Sequence, residues 1–442
     1  MDERIESTFS YIDSHREDTV KYLQELVRID TQVPPGLNYD KICELMESKF
    51  SEYGCSVSLH EATEDYLKSS GADFLRLEGA RCNIVARYGG LVKHPALHIS
   101  AHIDTAAIQK EGWTVDPLGG LHTKDNKYGR SIYDKGGGYV WGRGSCDDKG
   151  SITAMTYALE ALHETGVKLK GSLILTGNCD EEIGGIAGLG FLFKEGIVKA
   201  DYGIQLDGSI NSIGLAAQGR ARFLIRTRGK SYHGQMPILG VNAIEKMSKI
   251  NVALTDYWKN VLLKRQIPVP GIELPKELRS IGIDKLTAML NIGTIKGGVQ
   301  GATVPDLCEE EVLRGMVPGE SFEEVRRELV SVIEDVKASD PGIRYDVDLI
   351  NAREGYVVSY DDPYIQKAKR IVGEVLGREV PFTGSLASTD MNYQVNEGKM
   401  PCFSIGVGEP FSNVHKPDES VSVDAIAQGA KIIASMIIHI LS

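Results

Sequence analysis

At 442 residues, 42% of them hydrophobic and 25% charged, the chain has the make-up of a folded globular protein and the length of two or three domains. Its net charge of −12 argues against a nucleic-acid-binding surface. No run approaches the ~20 apolar residues of a membrane span, so neither nucleic acid nor membrane is an expected partner.

The first residues, MDERIESTFSYIDSHRED, are acidic and amphipathic and lack the basic start and apolar stretch of a secretory leader. Apolar positions Ile5, Phe9 and Ile12, then Val20, Leu23, Leu26 and Val27, recur at helical spacing and predict a helix over 1–30. Pro34-Pro35-Gly36 ends it, and a second amphipathic helix is expected over 38–53, closed by Gly54. Segments 57–60, 83–88 and 96–101 read as strands. The stretch 120–142, rich in Gly and Lys with little periodicity, reads as a surface loop near a site. A helix over 150–165 carries Ile152, Met155, Leu159 and Leu162 on one face; a strand follows at 173–176 and another helix at 185–195. Strands alternating with helices imply a mostly parallel sheet covered on both faces.

Near 218 the pattern changes. Strand 220–228, helix 241–263, strands 290–295 and 309–317, helix 322–338 and strand 343–350 follow in the β-α-β-β-α-β order of a ferredoxin-like sandwich. Helix 362–376, strand 402–407 and helix 423–441 complete the chain. The expected fold is therefore α/β, with a discontinuous catalytic domain of residues 1–217 and 353–442 and an inserted α+β domain of residues 218–352. Seven scattered cysteines, at 43, 55, 82, 146, 179, 308 and 402, form no CxxC pair and fit a reducing, cytoplasmic setting better than a disulfide framework.

Five residues, His102, Asp147, Glu182, Asp207 and His415, follow or lie near the ends of short apolar runs. In an open α/β sheet ligands gather at the carboxyl ends of strands, and His with carboxylate is the donor set of a hydrolytic metal centre. Asp104, two residues after His102, is placed to orient a ligating imidazole. Asp147 sits in a Gly-flanked turn before a helix, where its two oxygens suit bridging of two cations. In Asp180-Glu181-Glu182 like charges repel unless a cation is near, so one Glu can bind metal while its neighbour stays free as a base. Alone, each segment also suits a solvated loop; Asp207 and His415 in particular carry little weight singly. His15, His94, His163 and His439 read as bystanders.

The segments SAHIDT, GRGSCDDKG, CDEEIGG, the acid Asp207, GKSYHGQMP and SNVHKPDE resemble, in the same order, those of the dinuclear zinc aminoacylase/carboxypeptidase family. That family includes acetylornithine deacetylase, succinyl-diaminopimelate desuccinylase, glutamate carboxypeptidase, carnosinase-type dipeptidases and the tripeptide aminopeptidase. The resemblance implies a zinc-peptidase-like catalytic domain with a ferredoxin-like lid and dimerisation domain. It implies two divalent metal ions, zinc first with cobalt or manganese as alternatives: His102 and Asp207 on one, Glu182 and His415 on the other, Asp147 bridging. It makes Glu181 the general base, Asp104 the orienter of His102, His233 an oxyanion donor reaching a partner subunit's site in a homodimer, and Arg314 the holder of a substrate carboxylate. It also implies a cis peptide between Asp147 and Asp148. Cys146 and Cys179, beside the site in sequence, are read as small buried residues rather than ligands.

Two features depart from the family. Ala302 stands where many relatives carry Asn in the lid, and Asp207 stands where many deacylases and carboxypeptidases carry Glu. The Asp is like the dipeptidase and aminopeptidase branches, whereas IDTQVPPG is like the deacetylase and desuccinylase branch. The expected substrate is a small molecule, an N-acyl amino acid or short peptide, cut at its amide bond by a water activated between two metals. A metal-dependent dipeptidase or aminopeptidase is the alternative; a C–N hydrolase of a non-peptide amine and an inactive dimeric scaffold rank below it.

Overall fold

The computed structural model describes residues 2–70 and 77–442. Where the periodicity predicts one helix over 1–30 there are two, α1 (Glu3–Ser14) and α2 (Arg16–Arg28). The break is at His15 (φ −112°, ψ 23°), whose carbonyl accepts both the Asp18 N–H at 3.1 Å and the Tyr157 hydroxyl at 2.6 Å. α3 (Tyr39–Glu52), β1 (Ser56–Glu61), β2 (Cys82–Gly89) and β3 (Ala96–His102) fall where the patterns place them. α4 (Lys149–Glu164), β4 (Ser172–Asn178), β5 (Tyr202–Gln205) and β6 (Ile213–Ala217) follow.

The expected helix over 185–195 is instead a π-type turn, Ile186–Gly190, followed by the short helix Phe191–Lys194. Gly185 is left-handed (φ +64°), and a Cβ on Gly188 would meet the Cys179 carbonyl oxygen at 2.0 Å. Backbone packing overrides the local helical pattern there.

Residues Ala216–Val357, with Gly384–Ser388, make a unit of their own; Met1–Leu215, Val358–Thr383 and Thr389–Ser442 make the other. The expected boundaries at 217/218 and 352/353 thus move by a few residues. Residues 384–388 join the second unit because the Gly384 N–H donates to the Glu273 carbonyl at 2.9 Å and the Gln218 N–H to the Ser385 carbonyl at 3.0 Å. In this unit β7 (Gly219–Arg228), α5 (Ala243–Asn260), β8 (Met289–Gly297), β9 (Leu307–Met316), α6 (Phe322–Ser339) and β10 (Arg344–Arg353) form an antiparallel sheet in the order β8-β9-β7-β10. β7 alternates as expected. Ala221, Phe223 and Ile225 enter a core with Met247, Leu254 and Leu329, and on the other face Arg222 pairs with Glu311 and Arg226 with Glu309, each at 2.7 Å.

The chain returns to the first unit through α7 (Pro363–Leu376), β11 (Cys402–Ser404) and α8 (Val423–Leu441). Its sheet runs β1-β2-β4-β3-β5-β11-β6. The central neighbours β4-β3-β5-β11 are parallel, and antiparallel pairings flank them. All seven residues of β3 are buried, as a parallel strand covered on both faces should be. α8 is long and apolar enough by composition to cross a membrane, with mean hydropathy 1.4, but 83% of that stretch is buried inside the unit. It is a core helix, packed on α4 and α1. The 120–142 stretch is less irregular than expected: Tyr139–Trp141 pairs with Leu121–Thr123 and with Ser420–Ser422.

Candidate metal centre

Because β4, β3, β5 and β11 run parallel, their carboxyl ends open at one edge of the sheet. His102 is the last residue of β3. Glu181 and Glu182 lie just beyond β4 in the 3-10 turn Glu181–Ile183, Asp207 two residues past β5, and His415 in the loop after β11. Asp147 comes from the turn ahead of α4, joined to Asp148 by a cis peptide bond, as the resemblance implies.

Asp147 stands at the middle. Its Oδ1 is 3.0 Å from His102 Nε2 and its Oδ2 is 3.0 Å from His415 Nε2. His415 Nε2 is also 2.8 Å from Glu182 Oε1, and the donor atoms of Asp147, Glu182 and His415 all lie within 4.8 Å of one another. His102 Nδ1 is 3.0 Å from the Asp104 carbonyl oxygen, which can only accept. That hydrogen bond takes the Nδ1 proton and turns the Nε2 lone pair towards a carboxylate. A second ring proton or a cation reconciles the contact; the donor set of two imidazoles and three carboxylates suits divalent cations.

Asp104 plays a wider part than expected. Its carbonyl, not its carboxylate, makes the closer contact to His102; Oδ1 is 3.5 Å from Nδ1. The carboxylate accepts the backbone N–H groups of Glu181 and Glu182, at 3.1 Å each. Asp180, left-handed at φ +62°, turns away from the cluster and accepts from the Tyr39 hydroxyl at 2.8 Å, with Arg81 at 3.3 Å. Sequence reasoning also missed Glu419. Its Oε1 accepts the backbone N–H groups of Cys146 and Asp147 at 3.0 Å each, and its other oxygen pairs with the buried Arg143. Both lie inside recognised segments, GRGSCDDKG and SNVHKPDE, yet a buried ion pair leaves no local pattern.

The electrostatics are those of crowded acids beside imidazoles. Burial alone would raise Asp147, but hydrogen bonds from His102 and His415 outweigh it and hold its carboxyl well below the usual carboxylate range. Hydrogen bonds to the Asp147 and Glu182 carboxylates push His415 up to about 10. Burial pushes Glu182 up to about 7 against the pull of His415. Burial, then the charges of Asp147 and Glu181, raise Asp207 well above its ordinary value, which places it electrostatically with the cluster. Cations would offset this mutual repulsion.

The structure brings His102, Asp104, Asp147, Glu181, Glu182, Asp207 and His415 into the first unit. His233 belongs to the second unit, exposed at a strand end, with Nδ1 accepting the Gln235 N–H at 3.2 Å. Arg314 also belongs there, with its side chain 2% exposed and paired with Glu320 at 2.8 Å. Cys146 and Cys179 are buried and free, and burial raises both thiols well above their ordinary value.

Comparison with known proteins gives a consistent picture. The model of peptidase family M20/M25/M40 matches residues 98–439. The chain is 24% identical over 460 aligned positions to N-formyl-4-amino-5-aminomethyl-2-methylpyrimidine deformylase of Bacillus subtilis, covering 99% of this chain and 98% of that one. It is 25% identical to a probable succinyl-diaminopimelate desuccinylase of Staphylococcus epidermidis, covering 92% and 94%. Among solved structures, human carnosine dipeptidase 1 shares the fold, with a TM-score of 0.75, 19% identity and 98% of each chain covered.

Proposed function

The chain belongs to peptidase family M20/M25/M40 and is a hydrolase of amide bonds, and from that premise we propose that it removes the acyl group of an N-acyl amino acid. The observation that carries the proposal is the stance of Asp147, whose two carboxylate oxygens each lie 3.0 Å from a different imidazole. We assign His102 and Asp207 to one divalent cation, Glu182 and His415 to the other, and Asp147 to both. Zinc is the first choice, and cobalt or manganese would accept the same donors. Bound there, such ions lower the pKa of water and polarise the amide carbonyl.

The remaining work falls to side chains. Glu181 removes a proton from the attacking water and returns it to the leaving nitrogen. Its backbone is fixed for this by the Asp104 carboxylate, which accepts its N–H at 3.1 Å. We assign His233 to the developing oxyanion, supplied by a second copy of the chain in a homodimer. The seven free cysteines support a reducing, cytoplasmic setting.

Two features favour second readings. Asp207 is like the dipeptidase and aminopeptidase branches, and similarity along nearly the whole chain to a deformylase favours release of a small acyl group from a non-peptide amine. Release of amine from N-acetyl and N-succinyl amino acids, dipeptides and N-formyl amines, presented to the metal-reconstituted protein, separates the three. Turnover of the first class and rejection of free α-amino substrates is the expected result. A requirement for a free α-amino group would replace the deacylase reading with the dipeptidase one.

A further inference from the structure

His415 offers its imidazole from an awkward base. Its backbone is left-handed, at φ +61°, a conformation uncommon outside glycine. Its side chain is 52% exposed, so packing alone does not hold it. Its backbone is tied by Gln109, whose Nε2 donates to the His415 carbonyl oxygen at 2.8 Å. The Gln109 amide is itself oriented, because Arg143 Nη2 donates to its Oε1 at 3.0 Å and leaves the NH₂ end for His415. Arg143 is 1% exposed, sits 5.5 Å from the Trp113 ring and pairs with the fully buried Glu419. Glu419 in turn accepts the backbone N–H of Asp147 at 3.0 Å.

These contacts close a ring: Asp147 to Glu419, to Arg143, to Gln109, to His415, and back to Asp147 through the 3.0 Å contact of its carboxylate with the His415 imidazole. A buried ion pair adds little net stability, since desolvation of both charges offsets their attraction. Placing two backbone segments at a set separation is a better account of the pair. His102 has a separate anchor, the Asp104 carbonyl at 3.0 Å.

We infer that Gln109 is a positioning residue, which through the Arg143–Glu419 pair fixes the distance between Asp147 and His415 and so sets the affinity of the cation position that His415 serves, independently of the position that His102 serves. This rests on the two-cation reading above. The test is a Co²⁺ titration of the full, metal-stripped chain, followed by calorimetry and by visible absorption. Wild type takes up two ions. In Gln109→Ala one uptake step weakens about tenfold, the usual effect of removing an outer support of a ligand, while the other stays at its wild-type value. Thermal unfolding of the metal-free variant is unchanged, because Gln109 is exposed. Gln109→Glu keeps an acceptor for Arg143 but has no donor for His415, and weakens the same step. Both steps unchanged in both variants, or both weakened alike, would overturn the inference. Uptake of fewer than two ions by wild type would instead overturn the two-cation reading, and is seen before any variant is made.

Discussion

Glu181 and Glu182 are neighbours with different surroundings. Glu182 Oε1 is 2.8 Å from His415 Nε2, and both backbone N–H groups are taken by Asp104. That geometry supports the proposal that Glu182 is a ligand and Glu181 the base. Glu181→Ala is therefore expected to keep full metal content while turnover falls by about 10³-fold, within the range for loss of a general base. Metal analysis beside steady-state kinetics checks it; an active variant, or one that loses metal, would reassign the base. At this scale His102, Asp147, Glu182 and His415 are legible only together, as segments in a recognisable order, since His415 carries little weight singly. Glu419, Arg143 and Gln109 are not. Their meaning lies in hydrogen bonds such as that from Asp147 N to Glu419 Oε1 at 3.0 Å, across some 270 residues of chain, and no local spacing encodes such a partner.

Elements with one amphipathic face are legible in the sequence. β7, α5, β8, β9, α6 and β10 occur in the expected order because alternation in strands and three-to-four spacing in helices survive within a two-layer unit. The failures were cases of tertiary override. Gly188 is non-helical (φ −90°, ψ −116°) where its backbone packs against the Cys179 carbonyl, and Tyr139–Trp141 finds Ser420–Ser422 only once the fold is made. One strand carries a testable oddity. Glu310, on β9, is 1% exposed and points into the core of the second unit beside Cys308 and Val312. Burial pushes its carboxyl up to about 7, with Asn251 offsetting part of the rise. A folded-state pKa above the unfolded one means that the fold favours the neutral acid. The resulting stability is fully present below the ordinary Glu value and is lost as pH rises through about 7. Against a Glu310→Gln reference, wild type should lose on the order of 3 kcal/mol between about pH 5 and about pH 8. Urea unfolding of both proteins measures the difference; parallel pH profiles would show that Glu310 ionises freely.

For the whole molecule, the cluster ties together segments from His102 to His415, so cation binding should be felt as stability of the first unit. Ions that bind only the folded chain at about a thousand times their Kd add ~4 kcal/mol. Chelation should then lower the melting temperature by on the order of 10 °C, read by calorimetry and reversed by added Zn²⁺; an unchanged melt would mean that the acids and imidazoles do not bind metal in solution.

In the two-cation reading Asp147 joins two cation positions, one facing His102 and one facing His415. It is tested most directly by counting Zn²⁺ bound per chain at equilibrium dialysis, for wild type and for Asp147→Asn. Two ions in wild type, with both positions weakened in the variant, is the expected result. One ion or none in wild type, or two retained at undiminished affinity in the variant, would contradict it.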